Sequence, residues 1–167
     1  MSRLTRHPSI PMRPSLRPLV ALAATLVLAT PAAAQSAERD AATAVVTRLF
    51  DAMRGRDTTA MRAAFVPNAS MQTLGDTAVR FAPIDGWIQS IGRARPGLVL
   101  DERLANPVVH VDGNLASIWV DYWFFAGERF SHCGVDAILL TKQSGQWRIF
   151  SVVDTRRTEG CPPAPPR

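Results

Sequence analysis

The chain of 167 residues has a formal net charge of +5, is 47% hydrophobic and contains two cysteines. This length fits a single domain that buries its own core without metals or several disulfides. Arg3, Arg6, Arg13 and Arg17 account for much of the positive charge. The rest of the chain therefore carries no basic stripe of the kind that binds nucleic acid.

The N-terminal segment has the pattern of a secretory signal peptide. Arginines precede an apolar run at residues 19–29, and small residues lead up to Ala34. The run is shorter than the roughly 20 residues that a membrane-spanning helix needs, so we expect cleavage after Ala34 rather than a retained anchor. Met12 is an alternative start to Met1. We predict a signal peptide over residues 1–34 and a secreted or periplasmic protein that is free of the membrane after cleavage.

The first half of the mature chain has three helical patterns. Over residues 37–54, apolar side chains recur at the i, i+3, i+4, i+7 spacing of an amphipathic helix, and Gly55 ends it. Asp57 is an N-cap candidate for a second helix. Pro83 can open a third helix, which Gly92 closes.

The second half predicts strands joined by tight turns. Two short extended segments come first, followed by four longer strands, over residues 69–73, 78–81, 98–112, 115–125, 131–142 and 146–156. A break in the third of these six falls at Asn106-Pro107. This order predicts an α+β fold with three N-terminal helices packed on a strongly curved, mostly antiparallel sheet. We place the domain at residues 35–157 and a C-terminal tail at 158–167, which runs free beyond Cys161.

The two cysteines indicate a covalent link. In an exported chain, Cys133 and Cys161 have only each other as partners, which favours one disulfide that ties the tail back. The alternative is two free thiols.

The turns predict a strand register. Pairing Gln143 with Gln146 places Asp136 opposite Val153 and on the opposite sheet face from Asp154. A bulge would exchange the two faces from that point onward.

A second hairpin brings acidic and imidazole groups together. Pairing Phe125 with Phe130 places Asp121, His132 and Asp136 on one face, beside two further residues, Trp119 and Trp123. A carboxylate beside an imidazole fixes its tautomer, and in an apolar pocket such a pair can transfer protons. The alternatives are an exposed Asp–His pair and a buried histidine that bonds to a carbonyl.

Asp154 with Arg156 or Arg157 is the rival constellation. Two arginines at a strand end can hold an anionic ligand in bidentate fashion. The alternative is an Asp–Arg ion pair that locks the strand end. Further pocket-wall candidates are Tyr122, Met71, Phe81 and Trp87. No close spacing of metal ligands is present, so we expect neither a metal nor a cofactor.

Two segments carry a family resemblance. VVTRLFDAMRGRDTTAMRAAFVPNASMQ, residues 45–72, resembles the start of the nuclear transport factor 2-like superfamily. FSHCGVDAILL and GQWRIFSVVDTRR, residues 130–140 and 145–157, resemble its secreted branch labelled "putative lumazine-binding". The resemblance implies a cone-shaped fold whose bent sheet wraps helices and encloses a pocket. The superfamily includes ketosteroid isomerases, scytalone-dehydratase-like enzymes, polyketide cyclases and binders.

The function that follows is binding of a small, partly aromatic or apolar ligand in an internal pocket. One alternative is a cofactor-free isomerase, dehydratase or cyclase that uses Asp121, His132 or Asp154 to transfer protons. Isomerases of the superfamily place a Tyr or Asp opposite the acid, and the register puts Tyr122 on the face opposite Asp121. The other alternative is a structural domain that forms homodimers through the sheet.

Overall fold

The helical half of the fold follows the sequence pattern. The computed structural model describes residues 31–166, and its helices are α1 (Pro31–Gly55), α2 (Thr58–Ala63) and α3 (Ile84–Gly92). Asp57 caps α2 as predicted, because its carboxylate accepts hydrogen bonds from the backbone N–H groups of Thr59 and Ala60. Residues 1–30 of the predicted signal peptide lie outside the described residues, and its last four residues form the start of α1. No helix within residues 31–166 is long and apolar enough to cross a membrane.

The strands form one six-stranded sheet in the order β2-β1-β6-β5-β4-β3. Their bounds are β1 (Phe65–Leu74), β2 (Val79–Pro83), β3 (Leu100–Asp112), β4 (Leu115–Ala126), β5 (Arg129–Gln143) and β6 (Gln146–Thr155). Among the six strands of the described region, β1 and β6 alone pair in parallel. The break predicted at Asn106-Pro107 is present, because the register of β3 with β4 shifts between Ala105 and Val108. The predicted α+β fold, with N-terminal helices on a curved and mostly antiparallel sheet, is confirmed.

The helices cover the inner face of the sheet. The apolar stripe of α1 is buried there through Ala42, Val45, Val46, Leu49, Phe50 and Met53. On the sheet side, the core includes Ile118, Val120, Ile138, Leu140, Ile149 and Val152. Each fully buried Val, Leu, Ile, Phe or Met side chain contributes about 1.5–3 kcal/mol. This face therefore forms the domain core, and any polar group on it stands out.

Arg56 connects two helix ends. The backbone N–H of Arg56 donates to Met53 O and that of Asp57 donates to Ala52 O, which closes the last turn of α1. Arg56, rather than the neighbouring Gly55, adopts the left-handed conformation there, with φ of 58°. Its guanidinium then donates to the carbonyls of Gly92 and Ala94 at 2.9 and 2.5 Å, and so caps the C-terminal end of α3.

Two bulges change the predicted register. The pairs Gln143–Gln146 and Phe125–Phe130 are confirmed. The register then shifts between Phe124 and Phe125 on β4, and between Leu139 and Leu140 on β5. Each shift exchanges the faces of the strand beyond it. The predicted interior pairs are therefore wrong.

The corrected register moves Asp136 and His132 to the inner face. Asp136 is opposite Asp154 instead of Val153, and His132 is opposite Phe124 instead of Trp123. Both side chains thereby join Tyr122, which the predicted register had placed on the other face.

Asp121 and Trp119 lie on the outer face. Asp121 accepts a hydrogen bond from Asn106 Nδ2 at 3.0 Å and is thus separated from His132 and Asp136. Trp119 is 57% exposed, beside its β3 neighbour Val108, which is 50% exposed. Pairing of two copies through this face stays a prediction.

The C-terminal tail crosses the outer face. Cys133 and Cys161 form the predicted disulfide, with a Cα–Cα distance of 6.0 Å. Beyond it, Pro162 O accepts a hydrogen bond from Trp123 Nε1 at 2.7 Å, and Pro165 O accepts one from Arg103 Nη1 at 3.1 Å. The sequence predicted a tail that runs free beyond Cys161. These hydrogen bonds hold the tail against the sheet, so that prediction is wrong. We call residues 161–165 the C-terminal strap.

The strap follows one cross-strand row. Cys133 on β5 pairs with Trp123 on β4, which pairs with Arg103 on β3. The strap thus runs across three strands and covers Trp123, which is only 5% exposed.

Candidate functional site

Three carboxyl side chains converge on the inner face of the sheet. Glu102 on β3, Asp136 on β5 and Asp154 on β6 line a cavity of about 30 Å³. The other residues around this cavity are Phe50, Met71, Trp87, Tyr122, His132, Val152 and Arg156. We call it the floor cavity. Carboxyl groups on an otherwise apolar face cost free energy unless they are paired, which makes their grouping the first sign of a site.

Strand alternation and one bulge bring the acids together. Leu100, Glu102 and Leu104 alternate along β3, so Glu102 points in the same direction as two core leucines. The bulge between β5 and β6 sets Asp136 directly opposite Asp154. The site therefore depends on register, and a slip of one residue would turn Asp136 outward.

Gly134 makes room for the tyrosine of the floor cavity. A Cβ atom at this position would lie 1.8 Å from Thr155 O and 2.8 Å from Tyr122 Cε1. Without it, the Tyr122 ring packs against the strand and its hydroxyl donates a hydrogen bond to Thr155 O at 2.8 Å. The glycine thus fixes the position of the phenol beside the acids.

Asp154 is fully engaged by its neighbours. It accepts hydrogen bonds from Thr73 Oγ1 and from Arg156 Nε, each at 2.7 Å. Tyr122 Oη lies 3.5 Å from Asp154 Oδ2. Of the two interpretations of this pair, the ion pair at the strand end is present. Arg157 is exposed and pairs through its backbone with Cys133.

Glu102 and Asp136 both favour the protonated form more than a free carboxyl group does. Burial, followed by the charge of Asp154, raises the pKa of Asp136 to about 7. Burial and the neighbouring Asp136 raise the pKa of Glu102 well above its usual range. A hydrogen bond joins the two carboxyl groups, and two carboxyl groups can make one only if a proton lies between them. The two carboxyl groups therefore titrate as a coupled pair.

The surroundings of His132 disfavour its charged form. Burial, and then the positive charge of Arg156, lower its pKa. Its ring contacts Tyr122 edge-on at 5.6 Å and Phe124 at 5.1 Å between centroids, and Ser131 Oγ lies 3.0 Å from Nδ1. The predicted Asp–His pair with Asp121 does not form, and His132 lines the floor cavity instead.

A wider cleft lies next to the floor cavity. Its volume is about 260 Å³, and it shares Met71, Trp87 and Arg156 with the floor cavity. Its other lining residues are Thr73, Arg80, Phe81, Ala82, Pro83 and Gly86. We call it the outer cleft. The two spaces together have aromatic and thioether walls, a guanidinium at their junction and carboxyl groups at the inner end.

Other parts of the described chain offer less chemistry. A larger concavity of about 580 Å³ beside α2 has Arg62, Asp85 and Arg148 as its ionisable side chains, and none of them is buried. Within residues 31–166, no group of three or more His, Cys, Asp or Glu side chains is arranged to hold a metal ion. The floor cavity with the outer cleft is therefore the candidate site.

The sequence matches a known family over most of the folded region. Residues 37–153 match the family described as "Putative lumazine-binding". The chain belongs to this family. A comparison with the curated proteins finds no match.

Solved structures of nuclear transport factor 2-like proteins share the fold of this "Putative lumazine-binding" chain. A superfamily protein of unknown function from Shewanella baltica is 19% identical with a TM-score of 0.60, over 74% of this chain and 97% of that one. A putative dehydratase of the superfamily from Streptomyces avermitilis is 12% identical with a TM-score of 0.60, over 73% and 97%. The β subunit of a putative aromatic-ring-hydroxylating dioxygenase from Novosphingobium aromaticivorans is 14% identical with a TM-score of 0.62, over 74% and 91%. Identities this low show a shared fold alone.

Most of the residues singled out from the sequence of this family member meet at the site. The floor cavity and the outer cleft are lined by His132, Asp136, Asp154, Tyr122, Arg156, Met71, Phe81 and Trp87. Three others do not line them. Asp121 and Trp119 are on the outer face, and Trp123 lies under the C-terminal strap.

Sequence reasoning missed Glu102 and Thr73. A signal for Glu102 was available, because an acid between Leu100 and Leu104 breaks an otherwise apolar strand face. Thr73 carried no such signal, since its hydrogen bond to Asp154 depends on the parallel pairing of β1 with β6.

Proposed function

We propose that this domain binds a small, partly aromatic ligand, with its ring in the outer cleft and one edge facing the floor cavity. The observation that carries this proposal is that the two spaces are adjacent and share Met71, Trp87 and Arg156 as lining residues. Small-molecule sites are typically concave and apolar with a few polar groups, and their volumes begin at about 300 Å³. The family description makes lumazine, a flat bicyclic heterocycle, the natural probe.

Trp87 provides the test of this proposal. Lumazine binding is measured by titration calorimetry on the wild type, on Trp87→Ala and on the control Trp119→Ala. Trp119 is on the outer face, so its removal should leave the affinity unchanged. Loss of the Trp87 ring should weaken binding about tenfold, as expected for removal of one aromatic stacking partner. Equal affinities of all three proteins, or stronger weakening by Trp119→Ala, would place the ligand elsewhere.

Proton transfer is a second candidate function, favoured by the adjacent carboxyl groups of Glu102 and Asp136, whose pKa values are both raised. A general base works best when its pKa lies near the working pH, and the pKa of Asp136 is about 7. The Tyr122 hydroxyl is beside this pair, although its proton is directed to Thr155 O. The probe is cyclohex-3-enone, whose conversion to the conjugated enone is followed by ultraviolet absorbance. Conversion that Asp136→Asn abolishes and Asp121→Asn preserves supports catalysis, whereas a rate equal to that of buffer rules out this reaction.

We also propose that the protein is exported. The leader pattern supports this, and so does the disulfide, because disulfides persist in oxidising compartments. Mass spectrometry of the protein from culture medium or periplasm should give a chain that begins at Gln35. An intact leader on a cytosolic protein would contradict export.

A further inference from the structure

One hydrogen-bond acceptor at the inner end of the site receives no hydrogen bond from any N–H or hydroxyl group of the described residues. Asp136 is 3% exposed and lines the floor cavity, and its Oδ2 atom has no such partner. A proton between Glu102 and Asp136 can supply one hydrogen bond, while a carboxylate can accept about four. A buried acceptor that lacks its hydrogen bonds costs free energy, which a suitable donor recovers.

The neighbouring acids do not offer a ligand the same kind of unpaired acceptor. Asp154 already accepts from Thr73 and Arg156. Glu102 is only partly buried, and none of its oxygens is a buried atom without a partner. Among the described carboxyl groups of the floor cavity, Asp136 therefore offers the buried acceptor that remains for a ligand.

Size limits what can reach Asp136. A floor cavity of about 30 Å³ equals the share of one water molecule in the liquid. A ring cannot enter it, but an N–H or O–H at the edge of a ring can. The body of the ligand then stays in the outer cleft of about 260 Å³, against Met71 and Trp87.

The charges of the two spaces are opposite. Three carboxyl groups lie at the inner end. Arg156 lies at the junction, and the exposed Arg80 lines the outer cleft. An anionic group is repelled by the carboxyl groups at the inner end and attracted to the arginines. An N–H or O–H donor is attracted to the carboxyl groups instead.

We propose that the ligand is oriented donor-first: an N–H or O–H on the edge of a flat heterocycle bonds to Asp136, and its acceptor or anionic end points toward Arg156 and Arg80. This inference rests on the proposed function, because it assigns a polarity to the same site. It selects cyclic amides, imides and related N–H heterocycles over fully alkylated or purely apolar rings.

A matched pair of probes tests the donor. Lumazine has ring N–H groups, and 1,3-dimethyllumazine has the same bicyclic frame with both N–H groups of the dione ring methylated. Calorimetric titration of the wild type should give at least about tenfold tighter binding of lumazine, as one hydrogen bond to a charged group would produce. In Asp136→Leu the two compounds should bind within about twofold of each other. Asp121→Asn should keep the wild-type ratio, because its side chain is on the outer face.

The outcomes separate this inference from the proposed function. If both compounds bind equally to the wild type and Trp87→Ala weakens both, the internal site stands and the donor-first polarity is overturned. If neither compound binds, the proposed function fails together with the polarity. Asp136→Asn removes the charge and keeps an acceptor, so it provides a second test if Asp136→Leu does not fold. Its ratio of lumazine affinity to 1,3-dimethyllumazine affinity should lie between those of the wild type and Asp136→Leu.

A third probe tests the outer end. Lumazine-6-carboxylate has its anionic group on the ring that is distal to the dione edge. Arg80→Gln should weaken this compound about threefold and leave lumazine unchanged, as expected for one partly screened charge pair. Equal effects on both compounds, or none on either, would contradict the assigned orientation.

Discussion

At the scale of single residues, Asp136 is an ionisable group whose folded environment differs sharply from water. Its pKa is about 7, against a reference value of 3.8. Between these values the folded chain holds a proton that the unfolded chain has lost. The stability contributed by this group is therefore fully present below about pH 4 and is lost as the pH rises through about 7.

Asp136→Asn should remove this pH dependence. At about pH 8, the variant should exceed the wild type in free energy of unfolding by on the order of 2–4 kcal/mol, since each pKa unit is equivalent to about 1.4 kcal/mol. At about pH 4 the advantage should vanish. Urea unfolding of both proteins between about pH 4 and pH 8 measures this difference in free energy of unfolding. Asp121→Asn is the control, and a constant difference between Asp136→Asn and wild type at all pH values would contradict the assigned pKa.

Gly134 is a residue whose side chain is excluded by geometry. Gly134→Ala should lower the free energy of unfolding by at least about 2–3 kcal/mol, because the added Cβ meets the Thr155 carbonyl, which belongs to the backbone. Gly86→Ala is the matched control. It lies within α3 with no atom within 4 Å of the added Cβ, so it should be neutral or stabilise by up to about 1 kcal/mol. Urea midpoints that fall equally in both variants would contradict this account.

At the scale of secondary-structure elements, Arg56 couples the end of α1 to the end of α3. Arg56→Ala should cost about 1.5–3 kcal/mol through the lost hydrogen bonds to Gly92 and Ala94. Arg56→Gly loses the same bonds but relieves the left-handed backbone, so it should be about 1 kcal/mol more stable than Arg56→Ala. Chemical denaturation measures both variants. Arg93→Ala, on an exposed arginine of the same region, should have almost no effect, and a loss as large as that of Arg56→Ala would contradict the capping role.

The helices and turns could be predicted from the sequence, and the site could be predicted only in part. Local signals such as Asp57, Pro83 and Gly92 set the helix ends, and the tight turn set the pair Gln143–Gln146. The bulge between Leu139 and Leu140 has no glycine or proline to mark it. Because one residue of slip exchanges the sheet faces, missing this bulge separated Asp154 from Asp136 in the predicted register. Missing the bulge between Phe124 and Phe125 grouped Asp121 with Asp136.

At the scale of the whole molecule, the disulfide is the covalent link between sheet and tail. The loop that it closes has a sequence separation of 28 residues. Restriction of the unfolded chain by such a loop contributes roughly 3–4 kcal/mol. The double variant Cys133→Ala/Cys161→Ala should lose this amount in urea unfolding. A reductant should destabilise the wild type equally and leave the double variant unchanged.

The strap gives a second measurement of the same link. Release of the tail should expose Trp123 and shift its fluorescence toward the red, because its indole then meets water. A reduced wild type with unchanged emission and unchanged stability would show that the strap holds without the disulfide.

The position of the disulfide also determines how the molecule bears mechanical load. Tension applied between the two chain ends enters the sheet at Cys133, because the bond to Cys161 bypasses everything between them. The bypassed segment contains β6 and most of β5, and with them Asp136, Asp154 and Arg156. The covalent path of a pull on the C-terminus therefore leaves out Asp136, Asp154 and Arg156, whereas Glu102 on β3 lies within that path, so load separates one carboxyl group of the site from the other two.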